Sequence, residues 1–103
     1  MITANFNYLN DQVASFEING HAYAGDPGED LVCAAVSAVS FGLTNAILAL
    51  DESELEIAME DGYLSVKNIP VSLAGQTLVE GMIVSLKTIE EANFQYITVI
   101  ENK

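Results

Sequence analysis

Asp30-Leu31-Val32-Cys33-Ala34-Ala35-Val36-Ser37-Ala38-Val39-Ser40-Phe41-Gly42-Leu43-Thr44-Asn45-Ala46-Ile47-Leu48-Ala49-Leu50-Asp51 is the stretch on which the fold turns. From Leu31 to Leu50 it carries no charged residue, and its length is about that of a membrane-spanning helix. Against a span stand Ser37, Ser40, Thr44, Asn45 and Gly42, the flanking acids Asp30 and Asp51, and the lack of a nearby Lys or Arg to orient it. The segment reads as the buried core helix of a globular domain, so no membrane partner is expected. At about 100° per residue, Asp30, Cys33, Ser37, Ser40 and Thr44 fall within an arc of roughly 80°. Nearly everything else on the helix is apolar. Cys33 therefore sits on the one polar stripe, near the helix start.

Outward from this helix the pattern changes period. Ile2, Ala4, Phe6 and Tyr8 alternate on one side of a strand over Ile2 to Leu9, and Asn10-Asp11 supplies a turn. A second strand over Val13 to Asn19, with Ala14, Phe16 and Ile18 on one face, completes a hairpin. Residues 21–29, His-Ala-Tyr-Ala-Gly-Asp-Pro-Gly-Glu, form the loop into the helix. Beyond it, Leu55 to Glu60 and Tyr63 to Asn68 flank Asp61-Gly62, a strong hairpin signal, and Ile69-Pro70 ends the second of these strands. Ser72 can cap a second helix running to about Ala92, with Leu78, Val79, Met82, Ile83, Leu86 and Ile89 at helical spacing. Phe94 to Glu101 reads as a last strand, apolar on parts of both sides and so suited to a central place in the sheet. The order ββαββαβ predicts a single α+β domain over residues 1–103: a two-layer fold with a mixed, mainly antiparallel sheet and two helices packed on it.

Composition narrows the function classes. The 103 residues include 15 acidic and 3 basic ones, a formal charge of −12. Such a surface repels nucleic-acid phosphates, so no direct nucleic-acid partner is expected. The acidity either keeps a small apolar protein soluble or attracts a basic partner. Cys33 is the only cysteine and His21 the only histidine, too few for a four-ligand zinc site, and no cofactor is expected. A lone cysteine excludes an intrachain disulfide scaffold. Met1 to Asn10 has neither a positive region nor a continuous apolar run, so no signal peptide is expected. Both features point to a cytoplasmic protein.

A thiol near a helix start is a candidate nucleophile, because free N–H groups and the helix dipole favour a thiolate. Two registers compete. Asp26-Pro27-Gly28-Glu29 matches a capping box with Pro at the first helical position, which places Cys33 in the second turn. With Asp30 as the cap, Cys33 is the third helical residue, among the free amides. His21 lies twelve residues before Cys33, at a strand end. It could take the thiol proton and later protonate a leaving amine, with Asp30 or Ser37 orienting one partner.

Gly20-His21-Ala22, then Gly28, then Asp30-Leu31-Val32-Cys33-Ala34-Ala35-Val36-Ser37 resembles the ribosomal-processing cysteine protease family, Prp. Its hallmark is Gly-His-Ala at a strand end and Asp-x-Val-Cys-Ala-Ala-Val-Ser at a helix start, and the likeness extends over the whole chain. The resemblance implies a cysteine endopeptidase with Cys33 as nucleophile and His21 as base, supported by Asp30 and Ser37. It implies a substrate loop including Gly20, Ala22, Tyr23, Gly25 and Gly28 that moves when substrate binds. It implies as substrate a large-subunit ribosomal protein whose short N-terminal extension is removed, and a bacterial homodimer. Ribosomal proteins are generally basic, which gives the acidic surface a second meaning. A non-catalytic ribosome-associated binding module and a thiol redox sensor using Cys33 alone stand as the alternatives.

Overall fold

The computed structural model describes residues 1–26, 29–51 and 54–103. Alternation builds the sheet. Strand β1 (Ile2–Leu9) and strand β2 (Gln12–Gly20) form the expected hairpin. Asn10 and Asp11 both adopt positive φ, 53° and 64°, the turn geometry whose twist matches two antiparallel strands. Ile2, Ala4 and Phe6 are buried as the alternation predicts. On β2 the face differs from expectation: Val13, Phe16 and Ile18 are buried, and Ala14 is not. The register shifts between Asn7, which faces Ser15, and Tyr8, which faces Val13. Ala14 is thus the extra residue of a bulge, which moves Val13 onto the core face.

Helix α1 (Leu31–Asp51) follows, then the hairpin of β3 (Glu56–Glu60) and β4 (Tyr63–Lys67), helix α2 (Leu73–Ala92) and strand β5 (Ile97–Asn102). The sheet order is β3-β4-β2-β1-β5, antiparallel except for the β1–β5 pair. The α+β, ββαββαβ architecture is as expected. Strand β5 begins later than Phe94, which is an exposed turn residue. It lies at the sheet edge rather than the centre, paired to β1 alone.

Ser72 caps α2 as expected. Its Oγ accepts from the Gly75 N–H at 3.1 Å, and its hydroxyl donates to Asp51 Oδ1 at 2.9 Å, tying the start of α2 to the end of α1. One apolar cluster joins Phe6, Phe16 and Ile97 of the sheet to Val32, Val36 and Ile47 of α1 and to Val79, Met82, Ile83 and Leu86 of α2.

The polar stripe of α1 turns out to face inward along much of its length. Ser40 and Thr44 are buried, and their hydroxyls donate to the carbonyls of Val36 and Ser40, each at 2.7 Å. Satisfied on their own helix, these small side chains can face the interior without an unpaired polar group. The helix is accordingly less buried than a core helix should be. Leu31, Phe41, Leu48 and Leu50 are exposed in the single chain. By length and composition α1 could also cross a membrane, and here it packs against α2 over the sheet.

Candidate active site

The start of α1 settles the register in favour of Asp30. Its Oδ1 accepts from the Cys33 N–H at 3.0 Å, and the Ala34 N–H donates to the Asp30 carbonyl at 3.0 Å. This is an N-cap, and Cys33 is the third helical residue. Of the rival box, Pro27 and Gly28 lie outside the described residues. Asp30 Oδ2 accepts a second amide, that of Ala24, at 3.0 Å. The same carboxylate therefore starts the helix and holds the incoming loop. The Cys33 amide, and after it the amide of Ala24, hold this carboxyl below the usual carboxylate range, with partial burial opposing them.

The sulfur is fixed from the other side. The Ala22 N–H donates to Cys33 Sγ at 3.3 Å, and the Ala22 methyl is buried. A strand end and a helix start are thereby locked together at the thiol. The neighbouring residue, His21, is part-exposed. Its Nε2 lies 3.6 Å from Asp61 Oδ2, and its ring stands tilted against that of Tyr23 with centroids 5.8 Å apart. Tyr23 has φ +56° and is 77% exposed. Among the described residues the hydrogen-bond donor to the sulfur is Ala22, and the imidazole faces Asp61.

Cys33 and His21 line one cleft of about 290 Å³. Gly20 and Ser37 line it too, whereas Asp30 and Ala22 act beside it through the bonds just described. Gly20 must be glycine: with φ +98°, a Cβ there would lie 2.2 Å from the Met1 carbonyl oxygen. Gly25 packs against the Glu29 backbone, and Gly28 lies outside the described residues. The floor is apolar, from Ile2, Ile18, Val36 and Leu64, and the far wall is the β3–β4 turn, Glu60 to Tyr63. Sequence reasoning missed that wall. Asp61-Gly62 signals a turn, but nothing local tells β4 to pair with β2. That pairing, Asn19 opposite Tyr63, carries the turn to His21. A cleft that brings a thiol at a helix N-terminus, a single imidazole and an apolar floor to one opening is suited to nucleophilic attack on a bound acyl group.

Fold and site define a cysteine peptidase of the small α+β kind. The family model described as "Cysteine protease Prp" matches residues 1–98. A curated relative, the ribosomal processing cysteine protease Prp of Bacillus subtilis (strain 168), is 44% identical over 99 residues, covering 87% of this chain and 88% of its own. The Prp of Staphylococcus aureus (strain Mu50 / ATCC 700699) is 38% identical over 96 residues, covering 88% of this chain and 90% of its own. The crystal structure of the S. aureus protease with a covalently linked product peptide superposes with a TM-score of 0.94 at 33% identity, covering 99% of this chain and 100% of that one. The chain belongs to the Prp family of cysteine proteases. It is an enzyme, a peptide-bond hydrolase, with the element order of the family's solved structures.

Proposed function

We propose that this protease removes a short N-terminal extension from a large-subunit ribosomal protein, with Cys33 as nucleophile and His21 as general base. The observation that carries the reading is the Ala22-to-Cys33 contact at 3.3 Å, which ties the residue after His21 to the sulfur beside the cleft that Cys33 and His21 both line. The names of the relatives, ribosomal processing proteases, support the substrate class, and a further S. aureus structure in complex with a substrate peptide, TM-score 0.83 at 31% identity, supports a peptide as the bound form.

In this mechanism His21 accepts the Cys33 proton, and the sulfur adds to the scissile carbonyl carbon. The imidazolium then gives that proton to the departing amine as the C–N bond breaks. A water, deprotonated by the same imidazole, hydrolyses the thioester and regenerates the thiol. Asp30 supports the sulfur by fixing the helix start, Ser37 stands one turn further along the same face, and Tyr23 and Gly25 belong to the segment that meets the peptide. A basic substrate suits a chain of charge −12 whose cleft wall includes Glu60 and Asp61. The same acidity disfavours direct contact with nucleic acid. Phe41 and Leu48, seven residues apart on one side of α1, and Ile57 and Met59, on one face of β3, are exposed apolar side chains that a second copy would cover in a homodimer. The cytoplasm is the compartment that keeps such a lone thiol reduced.

The test is incubation with the extended ribosomal protein of the same organism, followed by intact-mass analysis. Wild type should trim one N-terminal segment, Cys33→Ala should leave the substrate whole, and His21→Ala should slow trimming on the order of 100-fold or more. The same preparation should sediment as a dimer at tens of micromolar. Trimming at full rate by Cys33→Ala would sink the assignment of the nucleophile. An uncut substrate beside a fast-alkylating Cys33 would favour a redox or binding role instead.

A further inference from the structure

The imidazole of His21 has two nitrogens, and only one can face the sulfur. The other side of the ring is built into the β3–β4 turn. Asp61 Oδ2 lies 3.6 Å from Nε2, and among the described residues His21 is the one ion-pair partner of Asp61. Gly62, the next residue, has φ +69°, and a Cβ there would come 2.7 Å from Nε2, so the turn lies flat against that edge of the ring. The turn is in turn pinned to the strand that carries His21: the Gly20 N–H donates to the Gly62 carbonyl at 2.8 Å, and Asn19 pairs with Tyr63. The backbone of the turn is thus held against Nε2, on the wall of the cleft that Cys33 and His21 share, and the Asp61 carboxylate, itself 98% exposed, stands beside it.

We propose that Asp61 is a positioning residue for His21: its carboxylate takes the Nε2–H and leaves Nδ1 as the nitrogen that exchanges the proton of Cys33. An imidazole whose one N–H is held by an acceptor is fixed in tautomer and in plane, and its other nitrogen becomes the base. A third group holding a histidine in this way recurs in cysteine and serine peptidases on unrelated folds. The separation of 3.6 Å is longer than a hydrogen bond, as catalytic contacts often are before substrate closes the site. The proton balance is simple. Nδ1 takes the thiol proton to give an imidazolium, Nε2 keeps its own proton toward Asp61 throughout, and the Nδ1 proton leaves with the amine.

This inference rests on the proposed role of His21, and its test separates the two. His21 is the only histidine, so the ring ¹⁵N resonances of labelled protein report its tautomer directly. Wild type should be mainly the Nε2–H form, and Asp61→Ala should show a mixture. For cleavage of a peptide bearing the substrate's N-terminal extension, Asp61→Ala should lower kcat on the order of 10- to 100-fold with KM nearly unchanged, as loss of alignment does. Asp61→Glu, which keeps a carboxylate on a longer arm, should recover to within about threefold. Iodoacetamide capture of Cys33 at neutral pH should follow the same order. Wild-type tautomer populations in Asp61→Ala, or a rate equal to or above wild type, would overturn the proposal. If wild type cuts no peptide, the protease role of the dyad fails, and the tautomer and alkylation arms still decide Asp61.

Discussion

One carboxylate, that of Asp30, links backbone to chemistry. Its two oxygens accept the amides of Cys33 and Ala24, so the helix start and the loop share a single anchor. Its ionisation is favoured by those amides, so its folded value lies below its unfolded one. The stability it contributes is therefore present above the unfolded value and disappears as pH falls through the folded one. Asp30→Ala should lower Tm at neutral pH and reduce activity together, whereas Asp30→Asn, which keeps the cap on Cys33 but sets an NH2 donor against the Ala24 amide, should keep only part of the neutral Tm. Thermal melts from pH 7 to 3 check this, since Asp30→Asn should also lose less stability on acidification than wild type. The capping role and the place of Cys33 were legible in the spacing Asp30-x-x-Cys33. Asp61 was not, because its closeness to His21 depends on a strand pairing between residues far apart in sequence.

Among the elements, the bulge on β2 has the clearest structural cost and remedy. Val13 beside it still pairs with Tyr8, but on its other edge β4 reaches only to Phe16, and Gln76 of α2 meets both backbone groups there: its Oε1 accepts the Val13 N–H at 2.9 Å and its Nε2 donates to the Val13 carbonyl at 2.9 Å. The same Nε2 also reaches the Pro70 carbonyl at 3.1 Å. Gln76→Leu, close in size but unable to bond, should cost about 1–3 kcal/mol by leaving buried backbone groups unpaired. Urea unfolding measures it, and an unchanged midpoint would show that water replaces the amide. The elements themselves were largely legible. Helix α2 came from its 3.6-residue period and its Ser72 cap, and the β3–β4 hairpin from Asp61-Gly62. The face of β2 was misread because a bulge leaves no mark on simple alternation. The inward turn of the Ser40 and Thr44 stripe was hidden because a hydroxyl bonded to its own helix behaves as a small apolar group.

At the scale of the whole molecule, the acids are not all alike. Glu101 on β5 accepts from Lys87 and from the Tyr8 hydroxyl, the latter at 2.6 Å, and Glu90 of α2 accepts the Val99 N–H at 2.7 Å. These contacts cover an edge strand that would otherwise offer free backbone groups. The Lys87 and Tyr8 hydrogen bonds hold Glu101 below the usual carboxylate range, so its contribution is lost as pH falls through that lowered value. Burial, then the Glu101 hydrogen bond, pushes the Tyr8 phenol up. Its contribution is complete below the ordinary phenol value, about 10, and fades as pH rises through the folded one. Glu101→Gln should therefore flatten both the acid and the alkaline limbs of a stability–pH profile, whereas Tyr8→Phe should remove the alkaline limb and flatten the acid limb only in part, since Lys87 still holds Glu101. Denaturant midpoints between pH 3 and 11 read both.

The parallel pairing of β1 with β5 also sets the order of events in folding. Ile2 lies opposite Ile97, and Asn7 opposite Asn102, so the first strand of this domain waits for its last. The β1–β2 hairpin closes over a two-residue turn and can form in about 1–10 μs, but its outer edge stays unpaired until nearly all of the intervening chain has collapsed. Closing so long a loop carries an entropic cost that only the final contacts offset. The enzyme therefore completes its sheet only once β5 has been made and has reached the open edge of β1.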